Sequence, residues 1–311
     1  MFVCSEIHNP VMLAEVLGAL SPRTGCCYAD GTIGAGGHSK ALLGASTPKG
    51  FLYGCDRDSA AVQIASERLA EFAGRFEFRV SSFAELASWL GPDRCEGVLL
   101  DLGISSVQLN QADRGFSFLV NGPLDMRLDH RQSLTAANVV NEAPAAELAR
   151  IFWEYGGERQ SRKLANAIDR ERRRNRFETT LQLASLVERV VPRYGQRIHP
   201  ATRVFQALRI EVNDELEQLK KGLDSAWTIL KPGGRLAVIT FHSLEVRAVK
   251  AFGRNLARDY TMEGDTDIPE LRRPKEPELK WVSSKSVVPS AAEVEENPRA
   301  RSAQLRVMEK L

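Results

Sequence analysis

The segment CCYADGTIGAGG, residues 26–37, joins a short apolar run to a glycine-rich turn. Residues Cys26–Asp30 have the composition of a buried strand that ends in an acid, and four glycines follow within seven residues. Such a turn brings the backbone close to a ligand and points the first amides of the next helix toward it. The segment therefore predicts a first βα unit with a ligand-binding edge.

Further βα units follow from the same pattern. Strands are predicted at Phe51–Asp56, Phe76–Val80, Gly97–Asp101 and Arg235–Thr240, and the alternating residues Gln304–Glu309 read as a final strand. Helical spacing predicts helices at His38–Leu43, Ser59–Ala73, Phe83–Leu90 and Leu244–Arg258. Alternating strands and helices predict an α/β fold with a doubly wound, mostly parallel, Rossmann-like sheet.

The chain between the fourth and fifth strands has a different character. Residues 102–130 are rich in Gly, Ser, Asn and Asp and read as a long loop. Helices without strands are predicted after it, at Ala143–Tyr155, Glu158–Arg174 and Thr180–Val191, before a helix at Val212–Leu230. We therefore expect residues 1–112 and 210–311 to form the α/β domain and residues 113–209 an inserted all-helical domain. Residues 272–280, rich in Pro, Lys and Glu, read as a linker.

Composition places the chain among soluble globular proteins. It is 43% hydrophobic and 26% charged, and its apolar runs are too short to cross a bilayer. The N-terminus lacks the basic and then apolar organisation of a secretory signal, so the expected location is the cytoplasm. The five cysteines show no metal-ligand spacing. We expect reduced thiols, with neither disulfides nor a metal.

Charge is unevenly distributed although the net charge is only +2. Residues 127–209 contain 16 Lys and Arg against 9 Asp and Glu, so the net charge is +7 for this segment and −5 for the rest of the chain. Such a basic segment suits a polyanionic partner. The charge pattern alone leaves open whether this is a binding surface or only a solvated helix face.

Three acids end three consecutive strands of the predicted sheet: Asp30, Asp56 and Asp101. Asp56 follows Gly36 by 20 residues, a spacing that suits the hydroxyls of a bound ribose. A pyrophosphate would favour a bare helix terminus, whereas the ammonium of a methionine tail favours carboxylates. Each acid could be only a turn cap, but three together favour S-adenosylmethionine over a nicotinamide dinucleotide.

Longer motifs make the chain similar to a known family. These motifs are His8–Met12, Asp30–Ser39, Leu100–Ser106, Gln108–Leu109, Arg114–Phe118, Gly122–Arg127, His199–Arg203, Phe205–Ile210, Val212–Asn213, Phe241–Glu245 and Asn297–Ser302. Through them the chain resembles the bacterial 16S ribosomal RNA cytosine N4-methyltransferases, S-adenosylmethionine-dependent enzymes of the class I methyltransferase fold. They span nearly the whole chain, with small departures at Val107 and Val246.

The resemblance implies a cofactor site and a reaction. The implied cofactor-binding residues are Gly36, Gly37, His38, Asp56, Phe83, Asp101 and Gln108, to which the strand-end argument adds Asp30. The implied reaction methylates the N4 amine of a cytosine in the decoding region of the small ribosomal subunit, during ribosome biogenesis. The α/β domain would then bind the cofactor, and the inserted domain would recognise the RNA.

The residues that act on the cytosine amine are less well defined by the sequence. That amine is a poor nucleophile, and hydrogen-bond acceptors at its hydrogens would assist it; a strong general base and a metal are unnecessary. Candidates are Asp101, Ser105, Ser106, Asp125, Asn213 and His242. His242 could instead be a strand-end histidine satisfied by backbone, and Asn213 a helix cap.

The basic helical segment supplies candidate RNA-binding residues. We expect phosphate contacts, which are salt-sensitive, from Arg162, Lys163, Arg172, Arg173, Arg174, Arg203 and Arg209. The run Arg172–Arg174 could equally be a solvated face. Partners would be 16S rRNA or the small subunit and no membrane; the sequence leaves oligomerisation open.

Two other functions compete with this interpretation. A DNA amino-methyltransferase would typically carry Pro-Pro and an aromatic residue after the fourth-strand acid, whereas Leu102-Gly103-Ile104 follows Asp101 here. A non-catalytic RNA-binding assembly factor would not need to retain the cofactor-site residues. Both alternatives are therefore disfavoured.

Overall fold

The protein divides into two compact units. A computed structural model describes residues 10–105, 108–109, 111–191, 199–262 and 268–311. The first unit comprises Met1–Gly103 with Glu217–Leu311, and the second comprises Ile104–Leu216. The predicted domain boundaries, at 112/113 and 209/210, fall inside the second unit. The loop after the fourth strand and the chain up to residue 216 therefore belong with the helical unit.

A seven-stranded sheet organises the first unit. The strands are β1 (Cys27–Asp30), β2 (Phe51–Asp56), β3 (Phe76–Val80), β4 (Cys95–Asp101), β5 (Leu230–Thr240), β6 (Tyr260–Met262), β7 (Arg272–Pro274), β8 (Leu279–Trp281) and β9 (Gln304–Lys310). Their order is β3-β2-β1-β4-β5-β9-β8, and β6 pairs separately with β7. The first five strands of that order are parallel to one another. Strand β9 runs antiparallel to its neighbours β5 and β8. This confirms the predicted mostly parallel sheet.

Helices cover the sheet and form the second unit. Those of the first unit are α1 (Leu13–Leu20), α2 (Gly37–Ala45), α3 (Ser59–Arg68) and α4 (Leu86–Leu90), and those of the second are α5 (Ala136–Glu142), α6 (Ala145–Glu154), α7 (Ser161–Arg172), α8 (Thr180–Val190) and α9 (Pro200–Asn213). Three more follow: α10 (Glu215–Ile229), α11 (Ser243–Ala257) and α12 (Ala291–Glu296). Two predicted helices, Ser59–Ala73 and Phe83–Leu90, are each an α-helix joined to a 3-10 turn.

Strand β4 shows why the sheet strands read as continuous apolar runs. Val98 and Leu100 face one hydrophobic core, and Leu99 between them faces the other. Successive side chains of a strand point to opposite faces, and both faces are covered by helices. Every interior position of the strand must therefore be apolar, and polar residues are confined to its ends.

The second unit has its own hydrophobic core. It is built from one face of each helix, with Leu148, Phe152, Leu164, Ile168, Leu183, Val187, Phe205 and Leu208 all buried. Among its described residues the only β-type pairing is an isolated bridge between Pro123 and Thr179. This agrees with the predicted helical insertion.

Several element predictions were wrong. The helix predicted at Val212–Leu230 is two helices, because Asp214 adopts a left-handed backbone (φ 51°) between α9 and α10. Helix α5 and most of α9 were not predicted, although α5 begins with a Thr135–Asn138 capping box and α9 with Pro200 in its first turn. The predicted linker 272–280 contains β7 and the start of β8, which form by long-range pairing.

Helix α10 carries a glycine at its closest approach to the turn after β3. A Cβ atom built on Gly222 would lie 2.0 Å from the ring of Phe83. Phe83 opens the 3-10 turn Phe83–Glu85, so the missing side chain at Gly222 fixes where that turn and its aromatic ring lie. By contrast, a Cβ atom on Gly44 of α2 would have nothing within 4 Å.

We predict that Gly222→Ala lowers the free energy of unfolding by about 1–3 kcal/mol, because the added methyl group overpacks the Phe83 contact. Gly44→Ala is the matched control and should leave stability unchanged or raise it by up to about 1 kcal/mol, since alanine favours a helix more than glycine. Denaturant unfolding followed by circular dichroism measures both. Equal stabilities for the two variants would contradict the packing argument.

Candidate functional site

The glycine-rich turn after β1 adopts conformations that suit glycine. Gly34 and Gly36 have φ values of 52° and 78°, in the left-handed region. Gly36 is the N-cap of α2 and supplies no side-chain cap to its amides. A Cβ atom on Gly36 would lie 2.8 Å from Leu69 Cδ1, and one on Gly37 would lie 2.6 Å from Pro10 Cγ. Larger residues would therefore open the turn.

Asp30 at the end of β1 is buried and holds this turn together. Its Oδ2 accepts a 2.7 Å hydrogen bond from Ser39 Oγ, and its Oδ1 accepts one of 3.1 Å from the Thr32 amide. Burial raises the pKa of Asp30, and the Ser39 hydrogen bond opposes that shift. Both carboxylate oxygens thus bind residues of the turn. A direct cofactor contact by Asp30 stays a prediction.

Asp56 ties the end of β2 to the same turn. Its Oδ2 accepts a 3.0 Å hydrogen bond from the Gly34 amide, and its Oδ1 accepts one of 2.9 Å from the Asp58 amide. Burial raises the pKa of Asp56 to about 6, although these two amides act in the opposite direction. A carboxylate offers about four acceptor positions, so two backbone donors leave capacity for two hydroxyls.

His38 and Asp101 face each other at the centre of the site. His38 Nε2 lies 3.5 Å from Asp101 Oδ2, while the Asp101 amide donates a 2.7 Å hydrogen bond to Thr32 Oγ1. Burial acts to lower the pKa of His38, but the Asp101 carboxylate opposes this and the net shift is upward. Among the described residues, both ring nitrogens of His38 and Oδ1 of Asp101 are buried without a hydrogen-bond partner.

Those unpartnered atoms test whether the predicted cofactor fits. Leaving buried polar atoms unsatisfied costs about 1–3 kcal/mol each, so they indicate a polar ligand. The amino-acid end of S-adenosylmethionine offers an ammonium and a carboxylate, which match the Asp101 carboxylate and the ring nitrogens of His38. The residues present therefore fit the predicted cofactor.

Phe83 lies beside the first residues of the glycine turn. A Cβ atom on Gly31 would be 2.8 Å from Phe83 Cβ, and the ring of Phe83 packs against Gly222. The side chain is half-buried. An aromatic ring held between a helix and the turn is suitably placed to cover one face of an adenine, as the resemblance implies.

His242 caps the helix that follows β5. Its Nδ1 accepts from the Glu245 amide at 3.5 Å, and Glu245 Oε2 accepts from the Phe241 amide at 2.7 Å. His242 Nε2 lies 3.1 Å from Glu245 Oε1, in an ion-pair contact outside hydrogen-bonding geometry. A structural role as the cap of α11 is therefore established, and a catalytic role stays a prediction.

The predicted residues of the second unit take part in local hydrogen bonds. The Ser105 amide donates to Gln108 Oε1 at 2.9 Å, and the Gln108 amide donates to Ser105 Oγ at 3.2 Å. Gln108 is buried. Ser106 lies outside the described residues. The Ser105–Gln108 pair fixes the backbone after β4, and the roles predicted for these residues are not tested by these contacts.

Asp125 and Asn213 hold one loop of the second unit. Asp125 forms two 2.8 Å hydrogen bonds with the Arg127 guanidinium. Burial acts to raise the pKa of Asp125, but these bonds outweigh it and the net shift is downward. The buried Asn213 amide accepts from the Leu128 amide at 2.8 Å and donates to the carbonyls of Met126 and Arg209 at 2.8 and 2.9 Å.

The predicted RNA-binding residues fall into two groups. Arg172 donates to the carbonyls of Val140 and Ala143, and Arg209 pairs with Glu215 through two hydrogen bonds of 2.7 and 2.9 Å. Both side chains are mostly buried, so they stabilise the second unit internally. The others are more exposed: Arg162, Lys163, Arg173, Arg174 and Arg203. Of these, Arg173 pairs with Asp169, and Arg203 lies 3.8 Å from Glu158.

Sequence reasoning missed three side chains that shape the site. Ser39 and Thr32 orient the acids at the ends of β1 and β4, and Glu245 orients His242. The available signal was a hydroxyl residue on each side of the glycines.

In the described part of the chain, no helix is both long and apolar enough to cross a membrane.

Comparison of the sequence with known proteins identifies its family. The sequence matches the MraW methylase family over residues 5–311. Ribosomal RNA small subunit methyltransferase H of Geobacter sulfurreducens is 49% identical over 309 residues, covering 98% of this chain and 99% of that protein. The protein of the same name from Magnetococcus marinus is 47% identical over 311 residues, covering 98% of both. A crystal structure described as a putative rRNA-methylase from Clostridium thermocellum aligns with a TM-score of 0.47 and 10% identity, over 98% of both chains.

We predict that the affinity for S-adenosylmethionine falls as the pH drops below about 6. Asp56 has a pKa of about 6, so it is ionised and accepts hydroxyl hydrogen bonds above that pH, and a proton occupies one oxygen below it. Titration calorimetry between pH 5 and 8 measures the effect.

Two variants test whether Asp56 is the group whose titration changes the affinity. Asp56→Asn should weaken cofactor binding about 10- to 100-fold at neutral pH, the value of a charged hydrogen bond, and remove the decline near pH 6. Glu77→Gln, on the exposed edge strand β3, should behave as the wild type. A wild-type affinity that does not change over this pH range would contradict the assignment.

We predict that Asn213→Ala lowers the free energy of unfolding by about 3 kcal/mol, because two carbonyls and one amide lose their buried partner. Asn175→Ala, at an exposed position of the same unit, is the matched control and should change stability little. Thermal unfolding monitored by circular dichroism compares them. An Asn213→Ala protein as stable as the control would rule out the structural role and favour the catalytic one.

Proposed function

Because the chain belongs to the MraW methylase family, we propose that it transfers a methyl group from S-adenosylmethionine to the N4 amine of a cytosine in small-subunit ribosomal RNA. The observation that carries the cofactor assignment is the set of buried, unpartnered atoms on His38 and Asp101 beside the glycine turn. The names of the relatives support the RNA substrate. The choice of cytosine N4 rests on the motif resemblance.

The first unit supplies the cofactor-binding residues. Gly36 and Gly37 allow close approach of the backbone, Asp56 accepts from the ribose hydroxyls, and Phe83 covers the adenine. His38 and Asp101 bind the amino-acid end, and Gln108 is assigned here through the resemblance alone. When bound, the cofactor supplies an electrophilic methyl group on a sulfonium.

The protein's main catalytic task is alignment of the cytosine amine. Holding reactants in an attacking geometry can contribute about 7–11 kcal/mol. An acceptor at the amine hydrogens favours a pyramidal nitrogen and takes up its developing positive charge. Asp101 keeps one carboxylate oxygen without a partner among the described residues, whereas the carboxylate of Asp125 and the amide of Asn213 bind neighbouring groups. Because a carboxylate offers about four acceptor positions, Asp101 can accept from both the cofactor ammonium and the cytosine amine, and it is the first candidate for this role.

The second unit is proposed to recognise the RNA. Its exposed cations include Arg162, Lys163, Arg173 and Arg174, and contacts to phosphates would make binding salt-dependent. The substrate would be the decoding region of 16S rRNA, in free RNA or in the small subunit, and the reaction would take place in the cytoplasm. The base must leave its stack to reach a pocket.

We expect the purified protein to transfer labelled methyl groups to small-subunit particles that lack the modification, giving N4-methylcytidine. Asp101→Asn should reduce kcat/KM by at least about 100-fold, while circular dichroism shows an intact fold. Glu77→Gln should retain wild-type activity. Mass spectrometry of the digested RNA identifies the product nucleoside, and recovery of methyladenine or 5-methylcytidine would contradict the proposed specificity.

A further inference from the structure

A groove of about 950 Å³ lies within the second unit, between α6 and the start of α7. Its size falls in the range of known ligand sites. Its lining residues come from two short segments of chain: Ala145, Ala146, Ala149, Arg150, Trp153, Arg159, Gln160, Ser161, Arg162, Lys163 and Asn166. None of the residues of the predicted cofactor site belongs to it.

One wall of the groove ends in an exposed tryptophan. Trp153 is 58% exposed, whereas its neighbour Phe152 is fully buried in the core of the unit. The residues one turn and two turns before Trp153 on the same face are alanines, Ala149 and Ala146, which leave the space beside the indole open. A large aromatic surface held in water beside small residues is typical of a recognition site.

The opposite wall is cationic. Arg159 lies just before α7, and Arg162, Lys163 and Asn166 line the groove from the first turns of that helix. Among the described residues, no ion pair or hydrogen bond engages the guanidinium of Arg159 or Arg162, and Lys163 donates to the Val190 carbonyl at 3.0 Å. None of the described residues that line the groove is acidic.

The remaining cation of the groove is already neutralised. Arg150 pairs with Glu147 and Glu154, each at 2.6 Å. The positive charge available to a ligand is therefore concentrated on the α7 side, opposite Trp153. A ligand that satisfies both walls must present a flat apolar face and negative charge at the same time.

We propose that this groove binds an unpaired nucleotide of the RNA substrate, with its base stacked on Trp153 and its flanking phosphates on Arg159, Arg162 and Lys163. Unpaired nucleotides combine a π-face with adjacent charge, and aromatic and cationic side chains are how proteins hold them. The centre of a protein–protein interface is instead depleted of charged residues, so the cluster of cations opposite the indole favours a nucleotide. The proposal rests on the proposed function and adds a contact outside the cofactor site.

The test measures RNA binding without methyl transfer. A short, fluorescently labelled oligouridylate is titrated with the full-length protein, wild type or variant, in the absence of cofactor and at several salt concentrations. The variants are Trp153→Ala, Trp153→Phe and the double variant Arg159→Gln, Arg162→Gln. The matched control is Lys220→Gln, Lys221→Gln, which removes two exposed cations from α10.

Trp153→Ala should weaken oligouridylate binding about 5- to 100-fold, and Trp153→Phe should retain most of the affinity because a ring still stacks. The double arginine variant should bind less tightly and reduce the slope of log K against log salt by about 1.4, the value for two single-strand phosphate contacts. The lysine control should change neither quantity. KM for small-subunit particles should rise in parallel for the groove variants.

Two results would overturn the proposal. The first is an unchanged oligouridylate affinity in a folded Trp153→Ala protein. The second is weaker binding to particles with unchanged affinity for the oligonucleotide, which would assign the groove to a protein component of the particle. Failure of the proposed function appears separately, as absence of N4-methylcytidine with the wild-type protein, while the effect of Trp153→Ala on RNA binding would still stand.

Discussion

The first unit depends on bringing three carboxylates to one edge of a parallel sheet. Asp30, Asp56 and Asp101 end strands that are neighbours or next neighbours, and burial is the main cause that raises the pKa of the first two. Hydrogen bonds oppose this rise in pKa. Ser39 Oγ and the Thr32 amide donate to Asp30, and the amides of Gly34 and Asp58 donate to Asp56. Of these three acids, only Asp101 keeps a buried oxygen without a donor among the described residues, and this is the oxygen proposed to bind the cofactor.

The second unit uses its polar residues differently. Asn213 joins α9 to the loop at 126–128, Arg172 binds the last carbonyls of α5, and Arg209 pairs with Glu215. These side chains are conspicuous in the sequence, yet they stabilise loops and helix ends. Exposed residues such as Trp153 and Arg162 form the surface that is proposed to bind RNA.

Much of the sheet could be predicted, because a strand covered on both faces, such as Phe51–Asp56, is apolar over most of its length. The edge strand Phe76–Val80 instead alternates apolar and charged residues, and both strands were predicted to the residue. The break between α9 and α10 at Asp214 could not be predicted, because a single left-handed residue leaves the helical sequence pattern on both sides intact. Strand β8 depends on pairing with distant β9. In the site, Asp56 and Asp101 were identified from spacing, whereas the internal use of Arg172 depends on carbonyls about thirty residues away and has no local signal.

The pairing of β4 with β5 joins residues 95–101 to residues 230–240, with the whole helical unit lying between them in the chain. Contacts of such long sequence separation form slowly, because the intervening chain must first be ordered or looped out. The helical unit is one continuous segment and can fold as soon as it leaves the ribosome. During synthesis β4 therefore lacks its neighbour β5, and the backbone edge of β4 that pairs with β5 stays exposed until β5 has been synthesised.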